Sequence, residues 1–412
     1  MDGERIEAPS PVSAGGEGKS RSQRRRRSRR WRSGRRGGDG TPATTVEGYL
    51  YRREDGKTYL LASNGHFEPG AGDLTLEGGA VPTDLESGLK VSAEIRMASG
   101  SRKAAVAAVS SIEGLSPEEY RQRVAPFQDL VCIDPTERFR LEVQGEPVEP
   151  RVVELVAPIG KGQRCLIVAP PKAGKTVLLQ QLAHAIAVNH PDVTIFVLLV
   201  DERPEEVTDW RRNVVRGEVF ASSSDRSTQS HIEVSEVVLE RARRLVELGQ
   251  DVIVFIDSLT RMSRAYNNVQ KGSGRILSGG IDARTMAKPR RFFGSARNIE
   301  HGGSLTIVAT CLVDTGSRMD EVIFQEFKGT GNMELILSHD LFERRIFPCI
   351  HISTSGTRKE EKLYSRDEVE RLHLLRRALA TLPPHEAMLL LLGKLRQTRG
   401  NAEFLATIQP RS

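Results

Sequence analysis

The stretch that decides the fold is RCLIVAPPKAGKTV, Arg164–Val177. It opens with a short apolar run typical of a buried strand and leads into a helical pattern that continues to Val188. Between the two, the sequence fits the phosphate-loop pattern G-x-x-x-x-G-K-[ST], except that Ala169 stands at the first glycine. Gly174 would let successive backbone amides and the start of the helix face a polyphosphate. A strand, a glycine-lysine-threonine and a helix in this order predict a P-loop nucleotide site.

Four side chains are predicted to carry the chemistry of this site. Lys175 is expected to reach the β- and γ-phosphates, and Thr176 to offer its hydroxyl to Mg²⁺. Asp257 ends an apolar strand and is the expected second metal residue, although many buried strands also end in aspartate. Glu202 ends another apolar strand, where a carboxylate could polarise the attacking water. From spacing alone, the alternative for Glu202 is a surface acid that pairs with the arginine after it.

The region that follows the P-loop alternates strand-like and helical patterns up to about residue 350. Such alternation predicts an α/β fold with a parallel sheet and crossover helices, here of the RecA type. The predicted strands are Arg164–Ala169, Thr194–Val200, Gly217–Ala221, Val252–Ile256 and Leu305–Val313. The end of the chain, Arg366–Ile408, is predicted to be helical. We assign residues 151–412 to this ATPase domain and residues 116–150, with mixed charge and prolines, to a linker.

Before the linker, short strand-like runs are broken by glycine and proline. Five such runs in residues 44–115 predict a small β-barrel, for which the OB-fold (cold-shock-like) is the favoured architecture. They are Val46–Tyr51, Thr58–Ala62, Asp73–Leu76, Leu89–Ile95 and Ala104–Val109. Residues 1–43 contain few apolar side chains and are predicted to be a disordered tail. Eleven lysines and arginines fall between Lys19 and Arg36, so the net charge of +6 belongs to this tail.

Composition narrows the class of protein. Hydrophobic residues make up 38% of the 412-residue chain and charged residues 28%, which suits a soluble protein with sizeable cores. Its four cysteines form no CxxC pair, which argues against a zinc site or a disulfide framework. No apolar run approaches the roughly 20 residues of a membrane span, and the N-terminus lacks a signal-peptide pattern. We therefore expect a soluble, cytoplasmic protein without a membrane partner.

Several longer motifs resemble the Rho family of bacterial transcription termination factors, from about residue 120 to the C-terminus. They are Pro158–Arg164 (PIGKGQR), Ala169–Thr176 (APPKAGKT), Asp201–Thr208 (DERPEEVT), Phe327–Glu334 (FKGTGNME) and Gly356–Glu361 (GTRKEE). The family's phosphate loop also carries the alanine found at position 169. The resemblance implies a homohexameric, RNA-dependent ATPase that uses ATP and Mg²⁺ to move 5′ to 3′ on single-stranded RNA. It also implies RNA polymerase and transcription elongation factors as partners.

By matching motif, the resemblance implies roles for individual residues of the ATP site. The nucleotide pocket would be lined by Gly160, Lys161, Gly162, Gln163, Arg164, Cys165, Lys172, Ala173, Gly174, Lys175, Thr176 and Val177. Arg203 would contact the nucleotide or the coupling network, and Phe347 would stack near the adenine. Arg358 matches the family's arginine finger, which would enter the neighbouring subunit's site and neutralise phosphate charge there. With Lys175 and Glu202 it makes up the predicted catalytic set.

The implied RNA contacts fall in two channel loops and in the barrel. They are Arg275, Ile276, Leu277, Ser278, Gly279 and Arg318 in the loops, and Gly56, Lys57, Tyr59 and Lys103 in the barrel. The first loop, Asn267–Gly280, is long and rich in glycine and serine, which favours a functional loop over a packed element. In the barrel most of the family's stacking aromatics are missing. Phosphate contacts from barrel lysines and the basic tail are one replacement for stacking, and the alternative for the tail is a solvated charge run without a single role.

Two other functions stay open at this point. Another hexameric RecA-type motor, such as a DNA translocase or a rotary ATPase subunit, would share the P-loop elements. It has no reason, however, to keep the motifs Lys328–Met333 and Gly356–Glu361. A non-enzymatic RNA-binding regulator with an inactive core would be expected to have lost side chains of the predicted hydrolysis site, all of which are present.

Overall fold

A computed structural model describes residues 44–53, 55–62, 74–76, 81–82, 84–97, 103–145, 147–269, 280–281 and 284–409. The predicted basic tail, the predicted RNA contacts at positions 275–279 and the side chain of Lys103 lie outside this set. Among the described residues, no helix is both long and apolar enough to cross a membrane.

The first five strands form the predicted barrel. They are β1 Thr44–Arg52, β2 Thr58–Ala62, β3 Leu74–Leu76, β4 Lys90–Met97 and β5 Lys103–Ile112. They close in the order β1-β2-β3-β5-β4, with β3 and β5 parallel and the other pairs antiparallel. Leu50, Leu60, Val91 and Ile95 belong to the apolar interior, because alternate residues of a strand face the same side. The small barrel that the sequence predicts is confirmed.

Residues 116–150, predicted to be a linker, are packed against the rest of the chain. Helix α1 spans Pro117–Arg123 and starts with a capping box. A short strand, β6 Cys132–Ile133, follows it. Phe139 and Leu141 are buried and belong to an apolar cluster of the ATPase core. The segment therefore contributes side chains to the core as well as connecting it to the barrel.

The remaining strands form one sheet with β6. They are β7 Arg164–Ala169, β8 Thr194–Glu202, β9 Glu218–Ser223, β10 Asp251–Asp257, β11 Arg297–Ile299, β12 Ser304–Leu312, β13 Met333–Ile336 and β14 Gly356–Thr357. The main order is β14-β13-β7-β12-β10-β8-β9, with β14 antiparallel to β13 and the other pairs parallel. Strands β7, β8, β10 and β12 are buried almost throughout, as expected for a parallel sheet covered on both faces.

Helices cover both faces of this sheet. They are α2 Glu149–Val156, α3 Lys175–Asn189, α4 Pro204–Asn213, α5 Thr228–Glu247, α6 Leu259–Val269, α7 Ala287–Phe293, α8 Arg318–Lys328, α9 His339–Glu343, α10 Arg366–Ala380, α11 Pro384–Leu395 and α12 Asn401–Ala406. Side chains of β7 alternate between two apolar clusters. Ile167 belongs to the cluster that contains α3 and α11 residues, and Leu166 to the one that contains α5 and α7 residues.

The five strands predicted for the ATPase region are β7, β8, β9, β10 and β12. Four strands of the sheet were not predicted, β6, β11, β13 and β14, and each has only two to four residues. Short strands of this kind carry little periodicity. Strand β13 pairs with β7 on the side away from β12. The strand before the phosphate loop is therefore a central strand of the sheet, with a hydrogen-bonded neighbour on each side.

Helix α5 joins the barrel to the ATPase sheet. Arg241 of α5 forms a buried ion pair with Glu113 and donates to the carbonyl oxygen of Gly88 at 3.2 Å. Gly88 has a φ of +87°, and a Cβ there would lie 2.5 Å from the backbone of α5, so glycine is required for this close approach. Two more ion pairs cross the same boundary, Arg53 with Glu233 and Arg244 with Glu86.

We expect Arg241→Ala to lower the free energy of unfolding by about 3–5 kcal/mol, because it leaves the Glu113 carboxylate buried without its partner. Chemical denaturation of the full chain measures this loss. The control is Arg366→Ala, whose side chain is 94% exposed in a pair with Glu370. That change should cost less than about 1 kcal/mol. Equal losses for the two variants would show that the Arg241 pair does not stabilise the barrel on α5.

Candidate nucleotide site

The phosphate loop connects the carboxyl end of β7 to the first turn of α3. Lys172 and Gly174 both have left-handed backbone angles, with φ of +67° and +79°. Gly174 is also the N-cap of α3, and a glycine has no side chain to bond the first free amides of the helix. These amides and the positive end of the helix dipole are therefore left for a ligand, and they favour a phosphate.

Lys175 lies between two buried carboxylates. Its Nζ is 2.6 and 2.8 Å from the carboxylate oxygens of Asp257 and 3.4 Å from Oε1 of Glu202. Both acids are only 1% exposed. The Thr176 hydroxyl lies 3.4 Å from Asp257 Oδ2, and the Thr310 hydroxyl donates to Asp257 Oδ1 at 2.8 Å. The four side chains predicted to carry the chemistry are thus gathered in one place.

The topology of the sheet explains this convergence. Asp257 ends β10, and Glu202 ends β8, which pairs with β10. Strand β12 separates β10 from β7 and supplies Thr310. Because all these strands are parallel, their carboxyl ends meet at the edge where the phosphate loop leaves β7. Ligand sites of open α/β sheets lie at this edge.

Burial and proximity change the proton affinity of the central groups. Burial and the nearby Asp257 raise the pKa of Glu202 to about 7, despite the opposing effect of Lys175 and Arg261. Burial alone would lower the pKa of Lys175, but the carboxylates of Asp257 and Glu202 outweigh it, and the pKa is raised. Lys175 is therefore charged, and Glu202 can exchange a proton near neutral pH. A carboxyl group of that kind suits a general base.

Oxygen atoms suited to a Mg²⁺ ion are present on Thr176 and Asp257. Within the described ranges, no group of three or more His, Cys, Asp or Glu side chains could hold a metal ion on its own. A site with so few protein ligands fits an ion held mainly by phosphate oxygens and water, which is the usual arrangement for nucleotide-bound Mg²⁺.

Arg261, which no sequence motif singles out, also belongs to the site. Its Nε lies 3.3 Å from Glu202 Oε1, and its Nη1 donates to the carbonyl oxygen of Asp201. Nη1 is also 3.5 Å from the Asp201 carboxylate. The signal that could have found Arg261 is its position one helical turn after Asp257, at the start of the helix that follows β10.

A cavity of about 370 Å³ lies beside the phosphate loop. It is lined by Ala173, Gly174 and Val177 together with Phe347, so the predicted adenine-stacking residue and the phosphate loop share one pocket. Val177 is 58% exposed and Phe347 is 41% exposed, which leaves apolar surface that a base could cover. The Phe347 ring meets Phe342 edge-on, with a centroid distance of 6.2 Å.

The predicted nucleotide residues Gly160–Cys165 lie at the other end of β7. The strand has six residues, so about 20 Å separates its two ends. Gln163 Nε2 donates to the carbonyl and side-chain oxygens of Asn332 at 3.0 and 2.7 Å, and the Arg164 N–H donates to the same side chain at 2.8 Å. The structure does not bring these six residues to the phosphate loop of their own chain.

Arg358 lies on the same edge of the sheet as Asn332. It follows β14, it is exposed, and its backbone N–H donates to the Asn332 carbonyl oxygen at 2.9 Å. The predicted arginine finger is therefore on the edge opposite its own phosphate loop. Arg203 has a different position, since it is the exposed N-cap of α4, directly after Glu202.

Arg318, a predicted RNA contact, is exposed at the first residue of α8. The loop before it is fixed by the buried carboxylate of Asp320. Asp320 accepts hydrogen bonds from the Thr315 hydroxyl at 2.6 Å and from two nitrogens of Arg264 at 2.9 and 2.6 Å. Because Arg264 belongs to α6, this loop is connected to the helix that also carries Arg261.

In the barrel, Gly56 and Lys57 are exposed in the turn between β1 and β2. Tyr59 is half-buried and stacks on Tyr51 with a centroid distance of 6.5 Å. It also packs against the apolar cluster that includes Tyr51 and Leu61 of the barrel, so part of this ring is turned towards the protein. Lys103 begins β5, and its backbone pairs with Thr75 of β3.

The ATPase core is similar to known nucleotide-binding domains. A model of the ATP synthase alpha/beta family nucleotide-binding domain matches residues 150–357, half of the chain. Two solved structures have a TM-score of 0.54 against this chain. An ATPase from the type III secretion system of pathogenic bacteria is 21% identical and covers 68% of this chain and 82% of its own. The ATP synthase subunit NeqB from Nanoarcheaum equitans is 20% identical and covers 61% and 63%. These likenesses confirm the predicted RecA-type ATPase fold.

Curated relatives that carry the name transcription termination factor Rho are more similar in sequence. The Micrococcus luteus protein is 56% identical over 74% of this chain, but the match spans 44% of the relative. The Chromobacterium violaceum protein is 45% identical over 90% of this chain and 88% of the relative. The Aquifex aeolicus protein is 49% identical over 87% of this chain and 84% of the relative. The chain thus spans less than half of the first relative and most of the other two.

The raised pKa of Glu202 predicts a pH-dependent stability. A carboxyl group whose pKa is higher in the folded state stabilises the fold below its unfolded value of 4.5, and this contribution is lost as the pH rises towards about 7. We therefore compare the free energy of unfolding of nucleotide-free Glu202→Gln with that of the wild type. The difference in favour of the variant should rise by roughly 2–3 kcal/mol between pH 5 and pH 8, since each pKa unit corresponds to about 1.4 kcal/mol. Unfolding at both pH values measures this, with the exposed Glu205→Gln as control. If the two variants respond alike to pH, Glu202 is not perturbed in this way.

Proposed function

Because the chain belongs to the Rho family of transcription termination factors, we propose that it is an ATP-hydrolysing motor that binds nascent single-stranded RNA and releases it from RNA polymerase. The observation that carries this proposal is a hydrolysis site divided between two edges of one sheet. Lys175, Glu202 and Asp257 lie at the carboxyl edge, and the matching arginine, Arg358, lies at the amino edge. Such a site is completed only when copies of the chain associate.

The carboxyl edge would bind and hydrolyse ATP. The free amides of α3 and the Lys175 ammonium would hold the phosphates, while the adenine would cover Val177 and Phe347 in the adjoining cavity. Thr176 and Asp257 would hold the Mg²⁺ ion. When bound, this ion neutralises charge that develops on the transferring phosphoryl group.

Glu202 would be the base that activates the attacking water. Its Oε2 is buried and has no hydrogen-bond partner among the described residues, so this oxygen is free to accept a proton from a water. Its Oε1 is held between Lys175 and Arg261 at 3.4 and 3.3 Å, which fixes the direction of the carboxylate. A pKa of about 7 lies near the working pH, where a general base is most effective.

Association of the chains would supply Arg358 from a neighbour. A contact between the amino edge of one chain and the carboxyl edge of the next uses two different surfaces, so it repeats from chain to chain and closes into a ring. A homohexamer fits this arrangement. Gln163, Arg164 and Asn332 would then position the Arg358 loop, and any contact that Gly160–Cys165 make with nucleotide would be with ATP held by the next subunit.

RNA would be bound by the exposed Arg318 and by the loop Asn267–Gly280. A physical connection from Arg318 to the hydrolysis site supports this assignment. Asp320, in the first turn after Arg318, accepts from Arg264, and one turn earlier on α6 Arg261 contacts Glu202. A shift of α6 would therefore change the RNA loop and the general base together. The barrel, through Lys57, Tyr59 and Lys103, would hold the RNA before it reaches this loop.

The proposal is tested by comparing ATP hydrolysis without nucleic acid, with polypyrimidine RNA and with DNA, followed by transcript release from stalled RNA polymerase. We expect RNA to stimulate hydrolysis and ATP to be required for release. Stimulation by DNA in place of RNA would indicate a DNA translocase. RNA binding without hydrolysis would indicate an inactive regulator. RNA-stimulated hydrolysis without release would leave an RNA motor that does not terminate transcription.

The divided site predicts complementation between two inactive variants. Glu202→Gln should keep nucleotide binding but lose about 10²–10⁴-fold in turnover, the usual contribution of a general base. Arg358→Ala should lose turnover as well, because phosphate charge is left unneutralised. Mixed rings contain some interfaces in which wild-type Glu202 meets wild-type Arg358, so mixing should restore part of the activity. Turnover of each variant and of the mixture is measured under conditions of proven subunit exchange.

Two controls define the result. Glu205→Gln and Arg366→Ala change exposed residues of the same types and should retain wild-type turnover. Retention of more than about a third of the turnover by Glu202→Gln would show that another group is the base. Absence of recovery on mixing would show that Arg358 does not act on the neighbouring subunit.

A further inference from the structure

A second cavity, of about 420 Å³ and with a polar lining, lies where the barrel meets the ATPase core. Arg243 and Arg244 of α5 line it together with Arg291 of α7 and Arg297 of β11. Glu86, from the barrel, and Glu240, also from α5, are the acidic residues of the lining. The cavity is separate from the nucleotide site and has no part in the hydrolysis proposed above.

The acidic groups neutralise only part of this positive charge. Arg244 pairs with Glu86, and with Glu247 at 3.0 Å. Arg243 donates to Glu240 at 2.6 Å. For Arg291 and Arg297, no ion pair is formed with any residue in the described ranges, so these two guanidinium groups keep an uncompensated charge.

Hydrogen-bond donors are also left over. Nε of Arg243 and Nε of Arg244 are buried and have no hydrogen-bond partner among the residues that the structure describes. Arg243 is 9% exposed and Arg244 is 4% exposed, so bulk water does not readily supply the hydrogen-bond acceptor that each nitrogen lacks. Burial lowers the pKa of Arg243, and repulsion from the three other arginines lowers it further. The nearby Glu240 acts in the opposite direction but does not outweigh these effects.

The arginines are held in place by apolar packing. The Arg297 guanidinium lies 4.4 Å from the centroid of the buried Phe127 ring, and that of Arg243 lies 5.5 Å from it. Nε of Arg297 donates to the Ser295 carbonyl oxygen at 3.1 Å, which leaves the N–H groups of Nη1 and Nη2 available to a ligand. Preorganised guanidinium groups of this kind match the oxygens of a phosphate.

We propose that this cavity, at the junction of the barrel and the ATPase core, is a phosphate-binding site. The ligand chemistry is a phosphate oxyanion held by Arg291, Arg297 and Arg243. Its source is either a free pyrophosphate-bearing compound or a phosphodiester of an RNA strand that passes from the barrel to the core. A bound phosphate would connect α5, α7 and β11, because Arg243, Arg291 and Arg297 come from these three elements.

The test uses the full chain saturated with Mg²⁺ and a non-hydrolysable ATP analogue, so that the phosphate loop is filled. Pyrophosphate is titrated calorimetrically into the wild type and into Arg291→Gln/Arg297→Gln. In parallel, the affinity of a single-stranded RNA oligonucleotide is measured at several salt concentrations. The matched control is Arg290→Gln, which removes the neighbouring cation of α7, a residue that pairs with Glu326 at 2.7 Å and does not line the cavity.

A free-phosphate site predicts pyrophosphate binding to the wild type and to Arg290→Gln, and binding at least tenfold weaker in the double variant. An RNA phosphate site predicts weaker RNA binding in the double variant alone, with the log–log salt slope flatter by about 0.7 for each lost phosphate contact. Unchanged pyrophosphate and RNA binding in the double variant overturns the proposal. Equal losses in the double variant and in Arg290→Gln overturn it too, because they reflect net charge. If the double variant does not fold, the exposed Arg291→Gln alone decides between the same outcomes.

Discussion

Lys175 lies between two carboxylates, Asp257 and Glu202, that the parallel sheet brings to one edge and buries. Ionised carboxylates removed from water cost several kcal/mol each unless a cation is close. The lysine supplies that cation within the folded chain itself. Lys175 can therefore offset the cost of burying Asp257 at 2.6 Å in the nucleotide-free fold, whereas Glu202, at 3.4 Å and with a pKa raised to about 7, is only partly compensated. In the proposed complex, ATP and Mg²⁺ would offer alternative partners, the phosphates for Lys175 and the metal ion for Asp257.

The directionality of the sheet has a second consequence. Parallel strands have chemically different edges, because loops at the carboxyl ends and loops at the amino ends contain different residues. In this chain the carboxyl edge holds the proposed hydrolysis residues, and the amino edge holds Arg358 on a loop bonded to Asn332. About 20 Å of β7 separates the two edges within one chain. The proposed ring resolves this separation, because it places the amino edge of one copy beside the carboxyl edge of the next.

Helices α5 and α6 connect the peripheral parts of the molecule to this site. Helix α5 carries the ion pairs that hold the barrel, with Arg241 and Glu113 as the buried pair. Helix α6 carries Arg261 at the hydrolysis site and Arg264 at the loop before Arg318. The two helices pack against each other in the core. A movement of the barrel or of the loop before Arg318 therefore has a packed path to Glu202, which is the physical requirement for the proposed coupling of RNA binding to hydrolysis.

Local sequence determined three features: the phosphate loop, the main strands of the ATPase sheet, and the barrel. Each has a short-range pattern, which consists of apolar residues, glycine or an acid at the end of a strand. It also singled out Glu202 and Asp257, since a carboxylate at the end of a buried strand is visible without a structure. Arg261 was not visible, because many arginines of this chain share its local context and only the packing of α6 selects it. Tertiary structure likewise decided that Gly160–Cys165 lie away from their own phosphate loop, where Gln163 and Arg164 bond Asn332, and that the Tyr59 ring stacks on Tyr51. Pairing between distant segments fixes such positions, and no short stretch of sequence contains that information.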